Sequence, residues 1–247
     1  MKKILINYAA VGTNHAHNNP NGGYVEAQRI NSSTAISVGG FDEVEMYNAS
    51  NLTESFKDKH KQHFQYTRGA GYWIWKPYIL ADKLNKMNNG DILMYSDSGC
   101  HFINRIDPII ERLENTKNKV LVFNLAQIEK DWTKRDCFVE LNCDTPTYTD
   151  SKQIMSTFFL CKKNEFSQHI AAEWYKNASN FHMVADEFIS PSINKNYDSF
   201  KEHRHDQSML SLTCKLHNVE FMEDITEWGD PIKRGTPQII KHTRKRN

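Results

Sequence analysis

At 247 residues, 39% hydrophobic and 25% charged, the chain has the size and composition of one soluble α/β domain that needs no disulfide or structural metal to bury a core. A formal net charge of +1 provides no global basic field, so a nucleic-acid partner is not expected. Five cysteines without a CxxC pair argue against a disulfide framework or zinc knuckle and for reduced, buried thiols.

In chain order, Lys2 and Lys3 precede a short apolar run, Ile4 to Tyr8. The run is too short for a signal peptide or a membrane span, so it reads as a first buried strand and the protein as cytoplasmic. The Asn-, Gly- and His-rich stretch Asn14 to Gly23 follows as a loop, either beside a site or plain surface. Val44 to Tyr47 is a second strand. Arg68-Gly69-Ala70-Gly71-Tyr72-Trp73-Ile74-Trp75-Lys76-Pro77 packs two cations, two glycines and three aromatics into ten residues. Arg68 and Lys76 suit a diphosphate, and Tyr72, Trp73 or Trp75 can stack on a base or sugar. One of the two tryptophans is expected to be a core anchor, because both faces of a regular segment cannot line a pocket. Pro77 opens a helix with Leu80, Leu84 and Met87 on one face, and Gly90 closes it.

The strand Ile92 to Tyr95 runs directly into Ser96-Asp97-Ser98-Gly99. A carboxylate at that position can either cap a turn or hold a hard divalent cation, Mn²⁺ or Mg²⁺, with sites left open for phosphate oxygens. Gly99 permits close approach of a ligand to the backbone. Further strands are predicted at Val120 to Asn124 and Met155 to Cys161. A helix is predicted over Asn164 to Asn177, and another from Asp206 with Met209, Leu212 and Leu216 on one face. Trp132 to Asp136 is read as a loop that contacts donor sugar or acceptor, or is solvated. Glu202-His203-Arg204-His205-Asp206-Gln207-Ser208 crowds more polar chemistry than a helix cap requires. Asp206 is the first choice for a base or electrostatic stabiliser, and His205 the second. Lys233 to Arg246 collects the local basic excess, with His242 inside it. Strands alternating with helices predict a mostly parallel or mixed sheet, with ligands bound beyond the strands' carboxyl ends.

The runs GYWIWKPYIL, GDILMYSDSGC and HRHDQSMLS resemble a family of bacterial and large-virus glycosyltransferases, and more distantly the family-8 galactosyltransferases. The resemblance implies a GT-A fold, a Rossmann-like mixed central sheet flanked by helices, spanning residues 1–247 as one domain. Its nucleotide-binding half would cover about 1–125 and its acceptor-side half about 126–247. Asp97-Ser98-Gly99 matches an acidic variant of the DxD motif. Asp206-Gln207 matches an Asp-Gln helix start, and His242 matches a late histidine that converges on the same metal. With Tyr95 and Gly99 where second acids would stand, Asp97 alone supplies a direct carboxylate; either His242 or His205 is the candidate second ligand, or the metal is weakly held or recruited with the nucleotide. Tyr8, Arg68, Tyr72, Trp75, Lys76, Ser96, Asp97 and Ser98 are the donor-binding set, and Asp206, His205 and Gln207 the catalytic one. The implied activity is transfer of a sugar from a nucleotide-sugar, in the first place a UDP-sugar, to a glycan or lipid-linked saccharide. The basic tail would offer a peripheral membrane contact. Competing readings are a carbohydrate- or nucleotide-binding module without turnover and a metal-dependent phosphoesterase, the latter weakened by the sparse Asp/His set.

Overall fold

The computed structural model describes residues 1–10 and 23–243. The expected loop at Asn14 to Gly23 therefore lies outside the described residues up to Gly23, as does the tail from Arg244 onward.

The strands are β1 (Lys3–Tyr8), β2 (Glu43–Tyr47), β3 (Ile92–Ser96), β4 (Cys100–Phe102), β5 (Val120–Ile128), β6 (Lys152–Ile154), β7 (Phe158–Lys162), β8 (Glu220–Met222) and β9 (Ile240–His242). The longer helices are α1 (Gly23–Thr34), α2 (Trp75–Lys86), α3 (Asp107–Asn115), α4 (Glu165–Ser179) and α5 (His205–Leu216). Seven strands form one mixed sheet in the order β2-β1-β3-β7-β5-β6, with β8 on β5. β1 runs parallel to β2 and β3, whereas β7 is antiparallel to β3 and β5. A separate antiparallel pair, β4 with β9, sets Cys100 opposite His242 and returns the end of the described chain to the sheet's carboxyl edge.

Local chemistry accounts for these elements. β3 reads as an unbroken apolar run because both of its faces are covered: Ile92, Leu93 and Met94 are fully buried. On β1 the side chains alternate, Ile4 and Ile6 entering one apolar layer with α2, α4 and α5, and Leu5 the opposite layer with α3. α4 starts where Asn164 accepts from the Ser167 amide at 2.8 Å and Ser167 Oγ accepts from the Asn164 amide at 3.0 Å, a reciprocal cap. The strand expected from Met155 begins instead at Phe158. Met155 to Thr157 form the connection from β6, with the Met155 amide donating to Phe123 and Ser156 engaged from two sides. α1 escapes a periodicity search because the face it buries is polar: Gln28, Asn31 and Ser32. These meet Asn7 of β1 in a buried network, in which Asn7 Nδ2 donates to Asn31 Oδ1 at 2.7 Å and Asn31 Nδ2 donates to Ser96 Oγ at 3.1 Å.

All five cysteines are free and buried. Among the described residues, no helix is long and apolar enough to cross a membrane.

Candidate functional site

A cavity of about 900 Å³ opens at the carboxyl ends of β1 and β3, where a sheet of this kind presents ligand sites. Tyr8 ends β1, and Asp97, Ser98 and Gly99 follow β3. His242 arrives from β9, and the segment Arg68 to Trp75 forms the remaining near wall.

That segment owes its shape to an unusual backbone. Ala70, Tyr72 and Trp73 all hold positive φ, at 51°, 54° and 59°, conformations that cost non-glycine residues on the order of 1 kcal/mol or more each. Gly69 is required here: a Cβ on it would lie 2.3 Å from the Trp73 ring. Because the chain turns back on itself, Trp73 and Trp75 both reach the cavity, which corrects the expectation that one would be core only. Trp75 serves both purposes. It is 5% exposed, stacks on Tyr8 with centroids 3.8 Å apart and 15° between planes, and donates from Nε1 to the Gly69 carbonyl at 2.9 Å.

Asp97 stands at the cavity floor with its side chain 39% exposed. Its Oδ1 accepts from the Tyr95 hydroxyl at 2.6 Å and lies 3.1 Å from Lys76 Nζ. Lys76 does not reach the cavity as a free cation. Its side chain is 3% exposed and Nζ bridges Asp97 and Asp206, the latter at 3.5 Å, while donating to the carbonyl and hydroxyl of Ser156 at 3.2 Å each. Burial alone would push this ammonium down, but Asp206 and Asp97 together hold it above its ordinary value. One cation cannot neutralise two carboxylates fully. The deeper one carries the difference: burial raises Asp206 to about 6, against the pull of Lys76 and with the push of Asp97.

The other expected site residues form a layer behind this wall. Asp206 is 4% exposed and reaches the cavity only through Lys76. Gln207 is consumed structurally, accepting from the Ser156 amide at 3.2 Å and donating to Gln153 Oε1 at 2.7 Å. Ser96 Oγ donates to the Asp97 carbonyl, and Ser98 Oγ to the Tyr8 carbonyl at 2.6 Å, so both hydroxyls fix the strand ends. His205 is buried, with Nδ1 2.7 Å from the Val184 carbonyl. Burial lowers its pKa to about 3. Direct contact with a ligand, expected for Lys76, Ser96, Asp206, Gln207 and His205, is replaced by support from beneath. Tyr72 does line the cavity, and Arg68 is tied across it to Asp186, Nη1 to Oδ1 at 3.3 Å. The Trp132 to Asp136 stretch does not line the cavity and is only partly solvated, the Arg135 side chain being 40% exposed. Thr133 and Lys134 are fully buried, and Lys134 Nζ donates to the carbonyls of His182 and Ser190.

Sequence reasoning passed over Asp186, Phe188 and Trp228, all on the cavity wall. Asp186 sits 20 positions from the polar cluster it joins and carries no motif. Trp228 stacks on His242 at 3.9 Å and 19°, while Glu227 Oε2 lies 3.4 Å from His242 Nδ1. A tryptophan immediately before Gly229-Asp230 was the one available signal.

Asp97 and His242 therefore border one cavity. Oδ1 of Asp97 is engaged, and no hydrogen bond to its Oδ2 is seen among the described residues. No group of three His, Cys, Asp or Glu side chains suited to a metal occurs among the described residues. This donor set fits a cation shared with a ligand's phosphate oxygens rather than one caged by protein.

No family model and no curated protein sequence matches the chain. Among solved structures it is similar to the apo form of mouse xyloside xylosyltransferase 1, with a TM-score of 0.51 and 11% sequence identity over 98% of this chain and 97% of that one. The likeness shows the fold: a mixed central sheet flanked by helices, in the GT-A-like arrangement of glycosyltransferases.

Proposed function

We propose that the protein transfers a sugar from a nucleotide-sugar, in the first place a UDP-sugar, to a glycan or lipid-linked saccharide. The observation that carries this reading is the cavity at the sheet's carboxyl edge, with Asp97 on its floor, His242 on its wall and the stacked Tyr8–Trp75 pair between the two halves of that wall. The run GYWIWKP, YSDSGC and HRHDQS, resembling bacterial and large-virus transferases, supports it.

In this reading the Tyr8–Trp75 pair offers the flat apolar surface that a base or sugar ring needs. Asp97, through its second carboxylate oxygen, and His242 would hold Mn²⁺ or Mg²⁺. The cation, when bound, supplies positive charge to the diphosphate as the anomeric bond breaks. The chain's own part is preorganisation. Tyr95 and Lys76 fix Oδ1 of Asp97, which fixes the direction of the other oxygen, while Asp206 and Ser156 keep Lys76 in place. Asp206 is a positioning residue that acts through Lys76. Tyr72, Trp73 and Trp75 line one part of the cavity and present fixed surfaces beside the place where charge on the leaving group would develop.

The direct test of the donor side is nucleotide affinity. UDP titrated in the presence of Mn²⁺ should quench tryptophan fluorescence, and Asp97→Asn should weaken binding at least tenfold. Equal affinity in wild type and variant, with or without chelator, would remove Asp97 from the site.

A further inference from the structure

The wall opposite Asp97 has a construction of its own. Asp186 is 11% exposed at its side chain and borders the cavity. Its Oδ2 accepts from the Tyr72 hydroxyl at 3.1 Å, and its Oδ1 lies 3.3 Å from Arg68 Nη1 and 3.8 Å from His205 Nε2. The Val184 carbonyl can only accept, so Nδ1 of His205 carries the ring proton and Nε2 is left as an acceptor. That atom is buried and has no hydrogen-bond partner among the described residues. A buried acceptor without a donor is a net cost to the fold. His205 also holds φ at 53°, so it joins Ala70, Tyr72 and Trp73 in the left-handed region. Two of the seven non-glycine residues with positive φ among the described residues, Tyr72 and His205, thus face this one carboxylate. Strain concentrated in this way is spent where a side chain must be aimed. Trp73, Phe188, which is 77% exposed, and Ile189 line the same cavity as Asp186.

The geometry points to an acceptor subsite in which Asp186 receives the hydroxyl groups of a neutral sugar ring held between Trp73 and Phe188. Its identification as the acceptor side rests on the sugar-transfer reading. The chemical class follows from charge. Arg68 already balances Asp186, so the wall offers an acceptor carboxylate and guanidinium donors to hydroxyls without a net charge to attract an ion. The C–H faces of a pyranose match the aromatic and aliphatic surfaces.

The experiment is binding of methyl glycosides, read by saturation-transfer NMR and fluorescence titration in the presence of UDP. The panel comprises the neutral glucoside, galactoside, mannoside and xyloside, with methyl glucuronide as the charged control. Wild type should bind at least one neutral glycoside, and Asp186→Asn and Phe188→Ser should each weaken it at least tenfold while UDP affinity stays within twofold. Phe188 is too exposed for its loss to unfold the chain, so a folding failure of Asp186→Asn leaves the test intact. The inference is overturned if no neutral glycoside binds, if both variants bind as wild type does, or if the glucuronide is preferred. Glycoside binding that depends on Asp186, together with no turnover of any donor, would sink the transferase reading and leave a neutral-sugar site. Donor turnover with glycoside binding indifferent to both variants would sink the subsite and leave the transferase.

Discussion

Lys76 is the residue on which the floor of the site depends. Its ammonium is buried between two carboxylates, and removal of one partner from such a buried set costs about 3–5 kcal/mol because the remaining charge is stranded. Lys76→Met should therefore destabilise the protein by about that much in urea denaturation, and Lys76→Met with Asp206→Leu should recover a large part of the loss. Strict additivity of the two substitutions would contradict a direct charge pairing. The sequence named Asp97, Lys76 and Asp206 as chemically important but could not join them. A lysine's letter reports its charge, whereas its burial is decided by where α2 and the start of α5 pack, 130 positions apart in the chain. Lys76 was thus expected at the diphosphate and is found beneath the carboxylate that faces it.

At the scale of elements, apolar β1, β3 and β5 were legible because continuous Ile, Leu and Val runs have few other uses, and α2, α4 and α5 because their periodicity is apolar. α1 and the wall segments were not legible. α1 buries amides against Asn7, and residues 186–196 contain no regular helix or strand. That stretch carries Phe188 and Ile189 to the cavity and is held by Lys134 at Ser190, by Arg135 at Asn196 and by Asp136. Asp136 accepts from the amides of Ile193 and Asn194 at 2.6 and 2.8 Å and pairs with His182 Nε2 at 2.7 Å. These bonds, acting against its burial, hold the Asp136 carboxyl down to about 2. Asp136→Ala should release the stretch without unfolding the sheet. Amide exchange at Ile193 and Asn194 should accelerate by at least an order of magnitude, while β3 amides keep their protection. Uniform acceleration across the chain would show instead that Asp136 supports the whole fold.

The molecule as a whole buries several histidines in neutral form. Burial is the leading cause for each: His60 is lowered to about 4 and His205 to about 3, and His63, His203 and His217 are also lowered. The unfolded chain takes up protons near pH 6.5 and the folded chain only far below it, so the stability from these groups is complete above pH 6.5 and drains away as pH falls toward the folded values. His60 and His205 each contribute a slope of about 1.4 kcal/mol per pH unit in that window. Asp206, raised to about 6, and Asp224, also raised by burial, work the other way, their burial cost easing on acidification, but they are two groups against five. Denaturation midpoints should fall steadily from pH 7 to pH 5, and a flat or rising profile would contradict neutral burial of the histidines. The GT-A-like sheet that carries these layers was foreseen from the alternation of strands and helices together with the three motifs, because that alternation leaves few ways to stack the layers. The choice of partners within the site was not, because it is made by contacts between distant segments. The decisive measurement is nucleotide release from UDP-, GDP-, CMP- and dTDP-sugars, with Mn²⁺ and with chelator, for wild type and Asp97→Ala. Sugar transfer at this cavity predicts turnover of one donor that requires Mn²⁺ and disappears in the variant. No turnover of any donor, with binding indifferent to chelator, would contradict it and leave a binding module in its place.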